Sequence, residues 1–254
     1  TMESGTVLIT GASKRIGMAI SLMLASEGYS IAIHYNNSRQ AALELSNKIN
    51  FEGGNSEIFH ADLSNSDSAS NLINEVESSL GRISGLVNNA SMFIYDDISN
   101  LTSNLWDSHM NINAKAPALL IKELSKVTQN DKKASVVNIL DQKIANPSAD
   151  HISYTASRYA LLGLTDALAR GLAPNMRINA VAPGHTMPSD DQSIIGFNKA
   201  QNESPLGFGP SPSDIAQAVS FLISARAITG QIIYVDCGER FLSRKRDVLF
   251  ETED

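Results

Sequence analysis

The chain has 254 residues, of which 43% are hydrophobic and 19% charged, so it can bury the core of one large α/β domain or two small ones. Its formal net charge of −7 argues against a nucleic-acid-binding protein that relies on a basic face. A single cysteine excludes a disulfide within the chain and a metal site built on paired cysteines. Without a visible signal peptide or an apolar run of membrane-spanning length, we expect a cytoplasmic protein that binds neither membrane nor nucleic acid.

Short apolar runs alternate along the chain with longer segments of helical spacing. The first half predicts strands and helices in alternation, with strands at 6–10, 30–35, 56–61 and 85–89 and helices at 16–27, 39–51 and 66–80. The second half continues with a long helix at 104–128 that contains Pro117, strands at 135–140, 177–182 and 231–236, and helices at 151–172 and 213–224.

Seven apolar strands separated by helices predict βαβ units and a parallel sheet covered on both faces. Right-handed crossovers then make a single α/β domain, a Rossmann-like doubly wound parallel sheet, over residues 2–243. The segment 183–212 is rich in Gly, Pro, Ser and Asp, and we expect an irregular functional loop there. Residues 244–254 are expected to form a solvated C-terminal tail.

A glycine-containing turn, Thr-Gly-Ala-Ser-Lys-Arg-Ile-Gly at residues 10–17, joins the first predicted strand to the first predicted helix. Gly11 permits the tight turn, and Gly17 lets the helix pack close to the sheet. The start of the helix presents free backbone N–H groups, which suit a pyrophosphate. Because ligands of such sheets bind at the carboxyl ends of the strands, this turn predicts a dinucleotide site.

The residues around this turn favour NADPH over NADH. Arg15 stands where the usual motif has a middle glycine, and Lys14 precedes it. The second strand ends without the acidic residue that would bind the ribose 2′-hydroxyl of NAD. Cations and hydrogen-bond donors there would bind a 2′-phosphate, which a carboxylate would repel. The expected donors around this phosphate are Lys14, Arg15, His34, Asn37, Ser38 and Arg39.

A second constellation lies further along the chain. Tyr154 and Arg158 are four residues apart on a predicted helix and share a face, and Asp141 lies thirteen residues before Tyr154. With the Thr-Gly turn, Asn88-Asn89-Ala90, Asn113 and Pro183-Gly184, this order resembles the short-chain dehydrogenase/reductase family over nearly the whole chain. The resemblance implies a tyrosine acid/base, a basic residue four positions later that holds the nicotinamide ribose, and a serine thirteen positions before the tyrosine.

Within that family the chain is most similar to the pteridine reductases and the dihydromonapterin reductases, which are also called alternative dihydrofolate reductases. The similarity is carried by Arg15, by His34-Tyr35-x-x-Ser38, by Asn88-Asn89-Ala90-Ser91-x-Phe93 and by Asp141-Gln142-Lys143. In that group an aspartate replaces the serine. Reduction of a dihydropterin C=N bond needs a hydride at carbon and a proton at nitrogen, which a carboxyl beside a tyrosine hydroxyl can relay.

The resemblance implies roles for individual residues of this sequence. The catalytic residues are Asn113, Asp141, Tyr154 and Arg158. The substrate would contact Ser91, Asp141, Tyr154 and Phe93, whose ring would stack on the pterin. The cofactor would contact Gly11, Ser13, Lys14, Arg15, Ile16, His34, Tyr35, Asn37, Ser38, Asp62, Leu63, Asn89, Ala90, Ser91, Tyr154, Arg158, Pro183 and Gly184. A homotetramer is implied as well, and no metal site is expected because the histidines lack ligand spacing.

One departure leaves the activity open. Arg158 stands where the family has lysine, and although it keeps a positive charge that favours tyrosinate, it is never a proton donor. The first interpretation is an NADPH-dependent reductase of dihydropterin or dihydrofolate. The alternatives are a carbonyl reductase of the oxoacyl type, against which Asp141 argues, and a weakly active or non-catalytic NADPH-binding protein.

Overall fold

In the computed structural model, which describes residues 5–128, 133–189 and 192–252, seven parallel strands form one sheet. The strands are β1 (Thr6–Ile9), β2 (Ser30–Tyr35), β3 (Asn55–His60), β4 (Ile83–Asn88), β5 (Ala134–Ile139), β6 (Met176–Pro183) and β7 (Ile232–Val235). Their order is β3-β2-β1-β4-β5-β6-β7, with every neighbouring pair parallel. The direction of winding reverses between β1 and β4, and this opens a crevice at their carboxyl ends. The predicted doubly wound α/β fold is confirmed.

Helices cover both faces of the sheet. They are α1 (Arg15–Ser26), α2 (Arg39–Phe51), α3 (Ser66–Leu80), α4 (Ser103–Met110), α5 (Ala116–Val127), α6 (Ile152–Gly171), α7 (Ile194–Asn202), α8 (Pro212–Ser224) and α9 (Val248–Thr252). Alternate residues of β1 face opposite layers, as the pleat of a strand requires. Val7 packs with the layer that contains Leu24, whereas Leu8 packs with the layer that contains Leu120. None of the helices in the described part of the chain is long and apolar enough to cross a bilayer.

The long helix predicted at 104–128 is interrupted. A π-helical turn at Asn111–Lys115 separates α4 from α5. The helical path is therefore as long as predicted, but it is not a continuous α-helix. Pro117 lies in the first turn of α5, where a missing backbone N–H breaks no hydrogen bond within the helix. The fully buried Asn113 lies in the π turn.

The predicted irregular segment 183–212 contains the helix α7, so that prediction is wrong for residues 194–202. Ser193 caps this helix, since its hydroxyl accepts a hydrogen bond from the Gly196 backbone N–H at 2.9 Å. Residues 190 and 191 lie outside the described part of the chain. Residues 184–189, 192–193 and 203–211 form no helix, as expected.

The solvated tail is also a wrong prediction for residues 244–252. This C-terminal segment folds back on the domain and ends in α9, where Val248 and Thr252 are buried. Its charges are paired, with Arg246 bound to Asp150 and Asp247 bound to Lys143. The basic run 244–246 belongs to the charged residues that suggested solvation, and it supplies Arg246 as the partner of Asp150. Residues 253 and 254 lie outside the described residues.

Candidate active site

The turns that follow β1 and β4 are locked together at the crevice. The Thr10 hydroxyl accepts hydrogen bonds from the backbone N–H groups of Asn89 and Ala90, both at 3.0 Å. The Asn89 side-chain amide donates in return to the carbonyls of Thr10 and Gly11, at 3.0 and 3.1 Å. The two segments predicted to contact the cofactor therefore form one rigid wall.

The glycines of this turn are required by close backbone contacts. Gly11 has a φ of +59°, and a Cβ on Gly17 would lie 2.3 Å from the Gly11 carbonyl oxygen. Helix α1 begins beside them with no side-chain cap at Lys14 and no acidic residue in its first turn. Its first N–H groups are therefore open to an anion, and the turn fits the pyrophosphate of a dinucleotide.

Two cations adjoin this turn. Lys14 and Arg15 are exposed, and with Lys48 of α2 they line a cavity of about 330 Å³. The Arg15 guanidinium also donates to the carbonyls of Pro188 at 2.9 Å and Met187 at 3.4 Å, so it spans to the segment after β6. Lys48 was not predicted as a site residue, although the helical spacing of residues 41, 45 and 48 places it on the α2 face that lines the cavity.

His34 does not have the role expected of it. Its side chain is buried, its Nδ1 accepts a hydrogen bond from the Gly11 N–H at 3.0 Å, and its Nε2 lies 3.0 Å from the Ala61 carbonyl oxygen. Burial lowers its pKa to about 4, so the ring is neutral near pH 7. With both nitrogens engaged, His34 holds the glycine turn in place and offers no donor to a 2′-phosphate, which corrects the prediction.

The other predicted cofactor residues lie along the same edge of the sheet. Ser13 is buried in the turn, and Ile16 is half-buried in α1. Before α2, Asn37 is exposed and Ser38 is half-buried. The Tyr35 ring packs against His60, with 5.5 Å between the centroids.

Four more of the predicted cofactor residues lie at the ends of β3 and β6. Asp62 is exposed and Leu63 buried, and hydrogen bonds from Ser64 lower the pKa of the Asp62 carboxyl. Pro183 ends β6, and Gly184 follows where a Cβ would lie 2.7 Å from the Asp236 Cα.

Tyr154 and Asp141 are in direct contact. The Tyr154 hydroxyl donates a hydrogen bond to Asp141 Oδ2 at 2.8 Å, while Asp141 Oδ1 accepts from the Lys143 backbone N–H at 2.8 Å. Tyr154 is buried, and burial raises its pKa well above the usual range. The positive charge of Arg158 opposes that rise and the Asp141 carboxylate adds to it. The phenol is therefore protonated and able to act as an acid.

Arg158 lies next to this pair in α6. Its guanidinium carbon is 4.9 Å from the centroid of the Tyr154 ring, and its two terminal nitrogens donate to the Ile139 carbonyl at 3.0 Å and the Ser91 hydroxyl at 2.6 Å. The planar guanidinium thus joins the end of β5 to the segment after β4. Ser91 is brought to the site, but its oxygen accepts from Arg158.

Asn113 is positioned differently from a catalytic residue. Its side-chain oxygen accepts from the Met92 N–H at 2.8 Å, and its amide donates to the Met92 carbonyl at 2.9 Å and the Ser157 hydroxyl at 3.0 Å. Both amide hydrogens are thereby used. The structure corrects the expected role: Asn113 braces the segment that carries Ser91 and Phe93, and has no contact with Tyr154 or Arg158 in the described hydrogen-bond network.

Phe93 stands beside the Tyr154–Asp141 pair and is 45% exposed, which leaves room for a flat ligand. Its ring meets Tyr154 edge-on at 4.7 Å and stacks on His151 at 4.2 Å. Neither His151 nor Phe250 was predicted as a site residue. The Phe250 ring stacks on the far side of His151, with 6.4 Å between the ring centroids. No local spacing signals these contacts, because the residues come from three distant segments.

No group of three or more His, Cys, Asp and Glu residues is arranged for a metal ion within 5–128, 133–189 and 192–252. The buried Asp96 caps α6 by accepting hydrogen bonds from the Ser153 N–H at 3.1 Å and from the Ser153 hydroxyl.

Comparison with known proteins agrees with this arrangement. A family model described as enoyl-(acyl carrier protein) reductase matches residues 11–239. The 3-oxoacyl-[acyl-carrier-protein] reductase FabG of Staphylococcus aureus is 31% identical over 238 residues, covering 92% of this chain and 97% of that protein. The chain belongs to the short-chain dehydrogenase/reductase family. It is accordingly an oxidoreductase.

Members of this family with solved structures match closely. FolM alternative dihydrofolate reductase 1 from Brucella canis, complexed with NADP, superposes with a TM-score of 0.89 at 37% identity, covering 95% of this chain and 97% of that one. The protein of the same name from Brucella suis, in complex with NADP, gives 0.89 at 36% identity, covering 97% and 100%. The short-chain dehydrogenase/reductase relatives of this chain thus include proteins named for acyl-carrier-protein and for folate substrates.

Proposed function

We propose that this protein is an NADPH-dependent reductase of pterins, which converts a dihydropterin or dihydrofolate to its tetrahydro form. The observation that carries the proposal is the 2.8 Å hydrogen bond between the Tyr154 hydroxyl and the Asp141 carboxylate. A carboxyl hydrogen-bonded to the tyrosine suits protonation of a ring nitrogen, because it can relay a proton to the tyrosine hydroxyl, whereas a serine hydroxyl cannot do so by its own ionisation.

NADPH, when bound, supplies the hydride. The backbone N–H groups at the start of α1 would hold its pyrophosphate, and the exposed Lys14 and Arg15 would bind the 2′-phosphate. Arg158 would face the nicotinamide ribose. The NADP complexes of the two Brucella FolM proteins, at 36–37% identity, support the same cofactor here.

The chain's own residues would deliver the proton. Tyr154, protonated because burial raises its pKa, donates its hydrogen to the ring nitrogen as negative charge develops there. The resulting tyrosinate is stabilised by the adjacent Arg158 guanidinium. A proton taken up from solvent by the Asp141 carboxylate would then pass along the same hydrogen bond to restore the phenol. The exposed face of Phe93 would hold the pterin ring flat.

A carbonyl reductase of the oxoacyl type is the second candidate, and it is favoured by the similarity to FabG over 92% of the chain. Asp141 argues against it, because a carbonyl oxygen needs a neutral donor where this chain carries a carboxyl. A third candidate, a cofactor-binding protein without turnover, is kept open by Arg158 in place of the family's lysine.

One experiment separates the three candidates. After NADPH binding is established by fluorescence, its oxidation is followed with dihydromonapterin, dihydrobiopterin, dihydrofolate, a small ketone and a 3-oxoacyl thioester. We expect oxidation with at least one dihydropterin or with dihydrofolate, and its loss in Asp141→Asn, which keeps the shape of the side chain but cannot exchange the proton. Oxidation only with the ketone or the thioester overturns the proposal. Binding without turnover on any of these compounds supports the third candidate.

We also propose that the enzyme is a cytoplasmic homotetramer. The family resemblance is the basis, together with small residues on α6 such as Gly163, where an added Cβ would have open space around it. Light scattering at micromolar concentration is expected to give four times the mass of the chain, and a monomeric mass would contradict the proposal.

A further inference from the structure

The C-terminal segment, residues 244–252, contacts the substrate side of the site of its own chain. Asp247 pairs with Lys143, with 2.6 Å between Oδ2 and Nζ, and the two side chains are only 15% and 8% exposed. Lys143 lies two residues after Asp141, and its backbone N–H donates to the Asp141 carboxylate. A contact from the end of the chain therefore reaches the turn that holds the proposed proton relay.

This ion pair is itself held in position. The Asp247 backbone N–H donates to Asp150 Oδ2 at 2.7 Å, and Asp247 Oδ1 accepts from the Leu249 N–H at 3.1 Å. Arg246 binds the same Asp150 carboxylate at 2.8 Å. The Asp247 carboxylate thus has a fixed orientation, and a buried ammonium that lost it would be left without its countercharge.

The same segment touches the aromatic side of the site. The Phe250 ring meets Tyr95 edge-on at 5.4 Å and stacks beyond His151 at 6.4 Å. His151 in turn stacks on Phe93, the residue proposed to hold the pterin. The C-terminal segment therefore supports both the proton-transfer turn and the ring that would face the substrate.

We propose that the C-terminal segment positions the substrate side of the site, with the buried Asp247–Lys143 pair holding the Asp141 turn and Phe250 supporting the Phe93 stack. Asp247 and Lys143 are positioning residues, because neither is placed in contact with cofactor or substrate. The catalytic consequence rests on the proposed function, whereas the physical coupling between the two segments does not.

Two measurements on the full chain test the coupling. Hydrogen exchange followed by mass spectrometry reports the backbone of residues 140–146, and turnover with the dihydropterins reports catalysis. Asp247→Asn and Lys143→Met are each expected to speed exchange in that peptide and to lower kcat by about tenfold, because a small displacement of a catalytic group has a large effect on rate. The dissociation constant for NADPH is expected to change less than about twofold, because the hydrogen bonds and ion pairs described for Lys143 and Asp247 do not involve the glycine turn.

The double variant Lys143→Met/Asp247→Asn completes the cycle and contains no uncompensated buried charge, so it tests the proposal even if a single variant does not fold. Its effects are expected to be no larger than those of either single change. The control is Glu123→Gln, which breaks an ion pair with the same 2.6 Å separation, to Lys126 on α5. It is expected to leave exchange at 140–146 and kcat unchanged.

Phe250→Ala tests the aromatic contact and is expected to raise the KM for the pterin more than it lowers kcat, because it loosens binding of the ring without moving the proton relay.

Three outcomes would overturn the proposal: unchanged exchange at 140–146 in both single variants, additive effects in the double variant, or an equal effect in the control. If the wild-type protein turns over no pterin, the proposed function fails while the exchange experiment still decides the coupling.

Discussion

Uncharged contacts join the turn after β1 to the neighbouring strands β2 and β4, whereas charged contacts hold the turn after β5. At the first, the Thr10 hydroxyl, the Asn89 amide and a neutral His34 ring bind backbone groups of neighbouring strands. At the second, Arg158 spans two segments and Lys143 is paired with Asp247. The cofactor side should therefore respond to changes in volume, and the substrate side to changes in charge and pH.

The largest effect is expected on the substrate side. Tyr154→Phe removes the hydroxyl that donates to Asp141, and we expect turnover to fall by about 10²–10⁴-fold because the proposed general acid is lost. The dissociation constant for NADPH, measured by fluorescence, should stay nearly constant. Tyr29→Phe, at the start of β2, is the control and should be as active as wild type.

On the cofactor side, a single methyl group added at Gly17 should lower stability and NADPH binding strongly. Gly17→Ala places a Cβ 2.3 Å from the Gly11 carbonyl oxygen and 2.7 Å from the Asn89 amide nitrogen. We expect a loss of roughly 3 kcal/mol of unfolding free energy, since the backbone cannot relax without moving the turn. NADPH binding should weaken with it. In Gly171→Ala the added Cβ meets nothing within 4 Å, so normal NADPH binding is expected. Equal behaviour of the two variants would contradict the close packing.

A buried carboxyl distinguishes the substrate side by its pH response. Glu239 is 3% exposed and accepts the His185 N–H at 2.7 Å, and burial raises its pKa to about 7 from an ordinary value of 4.5. Because the folded state holds this proton more tightly, its stabilising contribution is present below pH 4.5 and is lost as the pH rises through 7. Relative to Glu239→Gln, the wild-type protein should lose roughly 2–3 kcal/mol between pH 4.5 and 8 in denaturant unfolding. If the unfolding free energies of the wild-type protein and Glu239→Gln changed in parallel with pH, the prediction of a raised pKa for Glu239 would be contradicted.

Arg15→Ala should change cofactor preference and little else. The loss of a charged donor to the 2′-phosphate is expected to weaken NADPH binding by about tenfold. NADH lacks that phosphate, so its dissociation constant serves as the internal control and should be unchanged. An equal loss for both cofactors would move the role of Arg15 to the pyrophosphate or to its contacts with Met187 and Pro188.

The smallest effect is expected for Arg158→Lys. Lysine keeps the positive charge near Tyr154 but cannot reach both the Ile139 carbonyl and the Ser91 hydroxyl in the same way. We expect turnover to fall by about three- to fivefold, which corresponds to one lost hydrogen bond. A gain in turnover would show that the arginine limits the wild-type enzyme.

The same contrast explains which features were predictable from the sequence. The strands and the glycine turn depend on patterns within short segments, and the pairing of Tyr154 with Asp141 is implied by the resemblance to the short-chain dehydrogenase/reductase family. The neutral, inward role of His34 depends on the carbonyl of Ala61, 27 residues away, which no local pattern reports. The folded C-terminal segment likewise depends on partners at Lys143 and Asp150, about a hundred residues earlier in the chain.

The π turn between α4 and α5 has a consequence for the direction of helix packing. Each residue of an α-helix advances by about 100° around the helix axis. One extra residue in the wider π turn therefore rotates the side chains of α5 around the axis relative to those of α4. The two halves of the helical path can therefore bury different sides: α4 lies against α6, whereas α5 lies against α3. An uninterrupted helix would present one continuous stripe to both neighbours. The Asn113 side chain in this π turn also hydrogen-bonds to Met92. The same irregularity therefore turns the two helices toward different neighbours and braces the segment that carries Ser91 and Phe93.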